Sequence, residues 1–421
     1  MARVVHAAFA ALVGLDWADA KHDVCLHVTG TARREFLSFA HRPEAIDAWV
    51  QTLRARFSGR PVAVCLELNK GPIVAALRQY DFLVLFPVKP LTVARYREAF
   101  PPSRAKDAPT DAELQVELLL THRDQLKPLQ PQSPAMRALA QLVEHRRRLV
   151  GDNVRCTNRL TRALKNSFPQ VLQWFPEKDT ALFCDFLSHW PTLKAAQLAR
   201  RSTLEGFFRA HHVRSADAIA PRLQAIKSAM ALTTDDGVIA PNVLLVQALV
   251  AQLRVTLQAM ADFDTAIAQR AQAHPDFPLF DALPGAGVVF APRLLVAFGE
   301  PRERFSSAEA LQKYAGIAPV TERRGKKAWV HGRLQCPTFL RQTFVEWAAE
   351  STRHSFWAQV YYQQQRDKGK AHQAAVRALA FTWIRILYRC WQDRTPYDES
   401  VYLQALKRRS APLLHTLAKE A

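Results

Sequence analysis

Four carboxylates in the first part of the chain stand where shared metal chemistry would need them. Asp16 closes an apolar run, Ala10 to Asp16 (AALVGLD), and Glu67 closes another, Pro61 to Glu67 (PVAVCLE). Asp107 and Asp111 lie in SRAKDAPTDA, at the entrance to a helix that continues ELQVELLL. Carboxylates gathered from strand ends and a helix start repel one another. A hard divalent cation, Mg²⁺ or Mn²⁺, relieves that repulsion by taking oxygen ligands. Two such ions side by side activate an attacking oxygen and stabilise a leaving one. Taken singly the acids have plainer readings: Asp16 caps a turn and Asp111 caps its helix.

A second group is basic. Arg323, Arg324, Lys326, Lys327, Arg333 and Arg341 surround Trp329 and His331, with Glu322 the one nearby acid. The segment reads as a loop, and Gly325 and Gly332 would let it follow a nucleic-acid backbone closely. A charge run is often only a solvated face, but an aromatic among the bases favours a nucleic-acid contact. Lys106, beside Asp107, belongs with the same contacts. Leu283-Pro-Gly-Ala-Gly287 reads either as a phosphate-cradling turn before an apolar helix or as a plain helix–helix turn. His145-Arg-Arg-Arg148 reads as a solvated helix face, with an RNA contact as the alternative.

The elements that must hold these groups follow from periodicity. Short runs Ala10–Asp16, His22–Val28 and Glu35–Phe39 predict three consecutive strands, and Pro61–Glu67 and Phe82–Val88 predict two buried ones. Helical patterns fill Ala45–Phe57 and Pro72–Tyr80, so residues 1–129 form an α/β domain. KPLQPQSP, ending at Pro134, marks a boundary. Met136, Leu139, Leu142, Val143, Leu149, Val150 and Val154 recur at helical spacing. So do Leu249, Leu253, Leu257, Met260 and Ile267. The two runs read as helices of one bundle or as an antiparallel coiled coil that also joins protomers. A helical region therefore spans 130–276, a mainly helical domain 277–400, and a basic tail 401–421.

Composition limits the partners. Lys and Arg number 57 against 38 Asp and Glu, a formal charge of +19. That excess suits a chain that shares its surface with a polyanion, nucleic acid above all. The six cysteines form no C-x-x-C pair and join no histidine cluster, so a zinc site is not expected. No convincing signal peptide is read, and no stretch is expected to approach the length of a membrane span without charges, so a cytoplasmic protein with no membrane partner is expected.

VGLDWADAKHD, VCLELNKGP and AKDAPTDAEL resemble the DEDD transposases of bacterial insertion sequences, a group that includes Piv-type invertases and bridge-RNA-guided recombinases. The resemblance continues through LPGAG, RFSS, YAGIAP and LRQTF. It implies an RNase H-like (RuvC-like) metal domain followed by a helical region and a transposase domain that carries a nucleophilic serine. It implies DNA strand cleavage and rejoining that mobilises an element, a guide RNA encoded by that element, and a homodimer or homotetramer. Residue by residue, Asp16 matches the first metal ligand, Glu67 the second and Asp111 the last.

Two positions depart from the pattern. The family's paired acids stand three residues apart, which from Asp111 points to Ala108; Asp107 is the adjacent carboxylate. The family's Ser-Gly pair falls on Arg324-Gly325, and arginine is no nucleophile. Thr321 offers a hydroxyl nearby, while Ser306 and Ser307 read as helix caps, so the nucleophile stays unassigned. Two rival functions remain open: a nucleic-acid-binding relative that has lost its chemistry, and a RuvC-like nuclease that activates water.

Overall fold

The computed structural model describes residues 9–98, 108–130, 132–325, 327–333 and 335–408, without the side chain of residue 108. The chain divides into two compact units, Met1–Pro131 and Gln132–Ala421.

The first unit is a mixed α/β sheet. Its elements are β1 (Ala11–Asp16), β2 (Lys21–Val28), β3 (Arg34–Ala40), α1 (Pro43–Phe57), β4 (Val62–Leu66), α2 (Pro72–Leu77), β5 (Leu83–Pro87), α3 (Pro90–Glu98) and α4 (Ala108–His122). The strand order is β3-β2-β1-β4-β5. The first three strands form an antiparallel meander, and β1, β4 and β5 run parallel. The parallel strands explain the unbroken apolar run VAVCL, because such strands are covered on both faces. One face, with Val13, Leu15, Val64 and Leu66, joins a core with Ile46, Trp49, Val50 and Leu53 of α1. The other, with Leu12, Ala63, Cys65 and Phe86, shares a core with Ala112, Val116 and Leu119 of α4.

Gly14 sets how closely α4 lies on the sheet. A Cβ built there would collide with the carbonyl oxygen of Ala112, so the helix backbone rests directly on β1. Gln115 Oε1 accepts the Leu15 backbone N–H at 2.8 Å, and Arg34 of β3 bonds both Glu113 and Glu117.

The second unit is mostly helical. It contains α5 (Pro134–Ser167), α6 (Val171–Trp174), α7 (Ala181–His189), α8 (Leu193–Leu198), α9 (Arg201–Ala210), α10 (Ala216–Ser228), α11 (Asp236–Gln272), α12 (Phe277–Asp281), α13 (Gly287–Phe298) and α14 (Ala308–Tyr314). A hairpin follows, β6 (Val320–Arg324) and β7 (Lys327–His331). The described part closes with α15 (Thr338–Ser351), α16 (Phe356–Asp367), α17 (His372–Asp393) and α18 (Glu399–Arg408).

The long α5 and α11 lie antiparallel: Arg146 pairs with Asp264 at 2.8 Å, and the Cys156 thiol donates to the Leu249 carbonyl at 3.3 Å. Leu160, Leu164, Leu249 and Leu253 enter one core with α6–α10, whereas Met136, Leu139, Val143 and Ile267 enter another with α12–α17. The apolar spacing read from sequence therefore packs these helices against each other inside one unit.

Two expectations need correction. The basic segment after Pro319 is a β-hairpin rather than a loop in a helical domain, because VTERR and KAWVH pair in register and Gly325 takes the positive φ that a tight connection needs. The expectation that no stretch approaches a membrane span also fails. Residues Gly237 to Leu253 carry no charge, and α11 is long and apolar enough to cross a membrane by length and composition alone, as the core helix of a soluble protein also can be.

Candidate metal centre and nucleic-acid interface

Strand register brings the first two predicted carboxylates together. Leu15 of β1 pairs with Leu66 of β4 in parallel register, so Asp16 and Glu67 come next to each other at the same end of adjacent strands. Alternation places both on the side of Leu12, Gly14, Ala63 and Cys65, the face that α4 covers. Asp111, 6% exposed, stands in the first turn of α4 and bonds Arg97 of α3. The close seat of α4 on Gly14 carries Asp111 toward that face. Asp107 and Lys106 lie outside the described residues.

Sequence reasoning missed Asp23. It pairs directly with Asp16 across the β1–β2 hairpin, on the same face, and bonds Lys21 at 3.1 Å. The signal was present in DWADAKHD, but only the length of the connection fixes which acid faces which.

The donors suit a hard cation in kind, since all are carboxylate oxygens. Among the described residues, however, no three acidic, histidine or cysteine groups already converge closely enough to share one ion. The Arg97 ion pair holds the Asp111 side chain. The neighbouring thiols are unsuited to attack: burial pushes Cys25 up to about 11, and burial with the Glu67 charge drives Cys65 higher still.

The predicted basic residues are split by the hairpin. Arg324 faces Lys327 and Glu322 faces Trp329, so Val320, Glu322, Arg324, Lys327, Trp329 and His331 share one face. Thr321, Arg323, Ala328 and Val330 occupy the other. Both strands are exposed along almost their whole length, Trp329 at 49% and Val330 at 68%. Lys326 lies outside the described residues, and Arg333 is half-buried where β7 meets the helices. Arg324 ends β6 beside Gly325 and presents no nucleophile. Ser307 is a helix cap, its hydroxyl accepting the Ala310 N–H at 3.1 Å.

Two other basic features have structural partners. Arg146 pairs with Asp264, and Arg147 pairs with Glu346 at 3.0 Å, so the HRRR stretch ties helices together rather than facing only solvent. Glu346 also binds Arg293, a buried cation of α13 that lies over Phe290 and Phe339. The PGAG turn packs closely. Gly285, at φ 69°, leaves no room for a Cβ, which would come within 2.7 Å of His354, and the Trp347 indole donates to the Pro284 carbonyl at 3.1 Å.

Comparison with known proteins gives the class. Residues 13–169 match the DEDD transposase family of the IS110 type, and residues 278–363 match a family described as transposase IS116/IS110/IS902. A Streptomyces coelicolor protein described as "Mini-circle putative transposase for IS117" is 30% identical over 419 residues, covering 96% of this chain and 98% of its own length. An uncharacterized 42 kDa protein of insertion element IS900 from Mycobacterium paratuberculosis is 27% identical, over 65% of this chain and 69% of its own. A 43.6 kDa protein of insertion element IS110 from Streptomyces coelicolor is 33% identical over a shorter stretch, 30% of this chain and 31% of its own length. The chain belongs to the IS110 family of insertion-sequence transposases, enzymes that bind and recombine DNA.

Proposed function

We propose that this chain cleaves and rejoins DNA strands to mobilise its insertion sequence in the cytoplasm, using Mg²⁺ or Mn²⁺ and a guide RNA encoded by the element, as a homodimer or homotetramer. We divide it into a RuvC-like, RNase H-like domain (1–129), a helical, coiled-coil-forming region (130–276), a transposase domain (277–400) and a basic tail (401–421). The observation that carries the reading is the strand register that sets Asp16 beside Glu67 on the face under which Asp111 enters.

Asp16, Glu67 and Asp111 hold the metal, with Asp107 as the further acid near Asp111. A divalent ion held there would supply activation of the attacking oxygen and stabilisation of the leaving one. Arg97 neutralises Asp111 until it is needed, and Gln115 fixes α4 to β1 so that the carboxylates keep their spacing. Lys106, Arg323, Arg324, Lys326, Lys327 and Arg333 contact the nucleic acid.

Arg324 favours a second reading. With arginine beside Gly325, the hairpin offers DNA a cation where the family pattern has a serine, which suits a relative that binds without strand transfer, or a nuclease that activates water. A denaturing gel of purified protein with the element's ends and flanking RNA separates these. A covalent protein–DNA adduct supports recombination, cleavage without adduct supports a nuclease, and binding alone supports the impaired relative.

A further inference from the structure

The β6–β7 hairpin has three properties that disfavour it as a free structure. A two-stranded ribbon is marginally stable by itself, yet its strands are exposed on both faces. Arg324 and Lys327 stand directly opposite each other, a like-charge pair that costs stability. Trp329 is half-exposed on the same face. Each is relieved by a polyanion lying along the ribbon.

The neck of the ribbon points to the same ligand. Arg333, just after β7, and Arg377 of α17 each bury their Nε away from solvent without a hydrogen-bond partner. Neither forms an ion pair among the described residues. The ribbon's own carboxylate is committed elsewhere, Glu322 to His331. Gly332 makes room for the arrangement, since a Cβ there would stand 3.1 Å from Arg377 Nη1. A partly desolvated guanidinium without a carboxylate is costly, and a phosphate oxygen satisfies it with charge-assisted hydrogen bonds.

We propose that the ribbon and its Arg333–Arg377 neck form a duplex-DNA docking surface, with the ribbon in the major groove and the neck arginines on a phosphate of the adjoining strand. The inference rests on the reading that the chain acts on DNA. The fit is one of size as well as charge. A five-residue strand spans about 17 Å, the rise of roughly five base pairs, and the B-form major groove, about 12 Å wide, admits a two-stranded ribbon. The major groove of A-form RNA is too narrow for it. Arg377 lies outside the basic run visible in sequence, and only the packing of α17 against the neck puts it there.

The test measures binding of the full chain to a B-form DNA duplex and to a duplex RNA across a salt series. Arg377→Ala and Arg333→Ala are each expected to weaken DNA binding about tenfold and to flatten the log–log salt slope by about one. Arg377→Lys, which keeps the charge but loses the planar fork, should retain the slope and recover part of the affinity. Gly332→Val keeps every charge and should weaken DNA binding by displacing Arg377; circular dichroism checks that each variant is folded. Unchanged affinity and slope in folded Arg377→Ala and Arg333→Ala would overturn the surface while leaving the DNA reading intact. Loss confined to duplex RNA would also overturn it. A wild-type chain that binds no duplex DNA would take the broader reading down with it.

Discussion

Gly14 is the residue on which the carboxylate geometry depends most directly, and Gly14→Ala tests that. The new methyl would collide with the Ala112 carbonyl oxygen and press on Gln115 Cβ at 2.9 Å. Both neighbours belong to α4, one of them backbone, so the helix must lift from β1 rather than a side chain turn aside. Overpacking of this kind costs about 1–3 kcal/mol. Stretching the buried bond from Leu15 N–H to Gln115 Oε1 adds about 1 kcal/mol. The sum, about 2–4 kcal/mol, lowers the midpoint of a domain this size by roughly 6–15 °C. The displacement also carries Asp111 away from Asp16 and Glu67, so any metal-induced rise in midpoint should shrink with it. Thermal melting with and without Mn²⁺ reads both effects. Gly206→Ala in the exposed face of α9 is the control: no atom lies within 4 Å of its added Cβ, and a helical alanine should stabilise by up to about 1 kcal/mol. A Gly14→Ala protein with wild-type stability and metal response would refute the close seating of α4.

Four further outcomes are expected. Mg²⁺ or Mn²⁺ should raise the thermal midpoint of the wild type, and Asp16→Asn should remove most of that rise; an equal response would dissolve the shared site. Arg293→Ala should cost about 3 kcal/mol in a urea titration, because it breaks a buried pair with partly exposed Glu346, while Arg293→Met, which also loses the charge but fills the space, should cost less; a Met variant as stable as the wild type would argue against the charge mattering. His22 is lowered from 6.5 to about 4 by burial first and by His41 second, against Asp23. Below pH 6.5 the unfolded chain therefore takes up a proton that the folded chain refuses, and stability should fall down to about pH 4. His22→Gln should blunt that fall, and an identical pH profile would count against it. Ala108→Asp with Arg324→Ser should raise covalent adduct on a denaturing gel only in combination; efficient adduct from the unmodified chain would show that Asp107 and another hydroxyl carry the chemistry.

The strands of the first unit were legible because β-branched and apolar runs end where acids begin, as at Asp16 and Glu67. Their pairing was not legible in the same way. Asp23 joins that face only because the connection from Trp17 to Ala20 fixes a hairpin register, and register is a property of two segments together. The basic run was visible from charge alone, yet its strand character was hidden by residues that also suit a solvated loop. Arg377 and Arg293 escaped notice for a related reason. Each sits in an otherwise ordinary helical pattern, and its significance comes from residues far away in sequence. The two long apolar repeats in α5 and α11 were legible from their spacing, while the uncharged run in α11 was hidden within the same helical period, because a core-packing stripe and a membrane-length apolar stretch draw on the same residues.

The antiparallel pair of α5 and α11 has a consequence for how the protein is made. Met136, Leu139 and Val143 of α5 belong to a core whose other buried residues come from later in the chain, Ile267 of α11 through Trp391 of α17. At about 5–20 residues per second of synthesis, the wait between the first of these residues and the last is on the order of ten seconds or more. Until α11 is made, the first half of this amphipathic helix lacks the partners that cover its apolar stripe, and the core is complete only when α17 follows. The second half of α5 finds partners sooner, in the helices that follow at once. The nascent chain therefore closes one core well before the other, and ribosome-associated chaperones should be most needed while α5 stands half-covered.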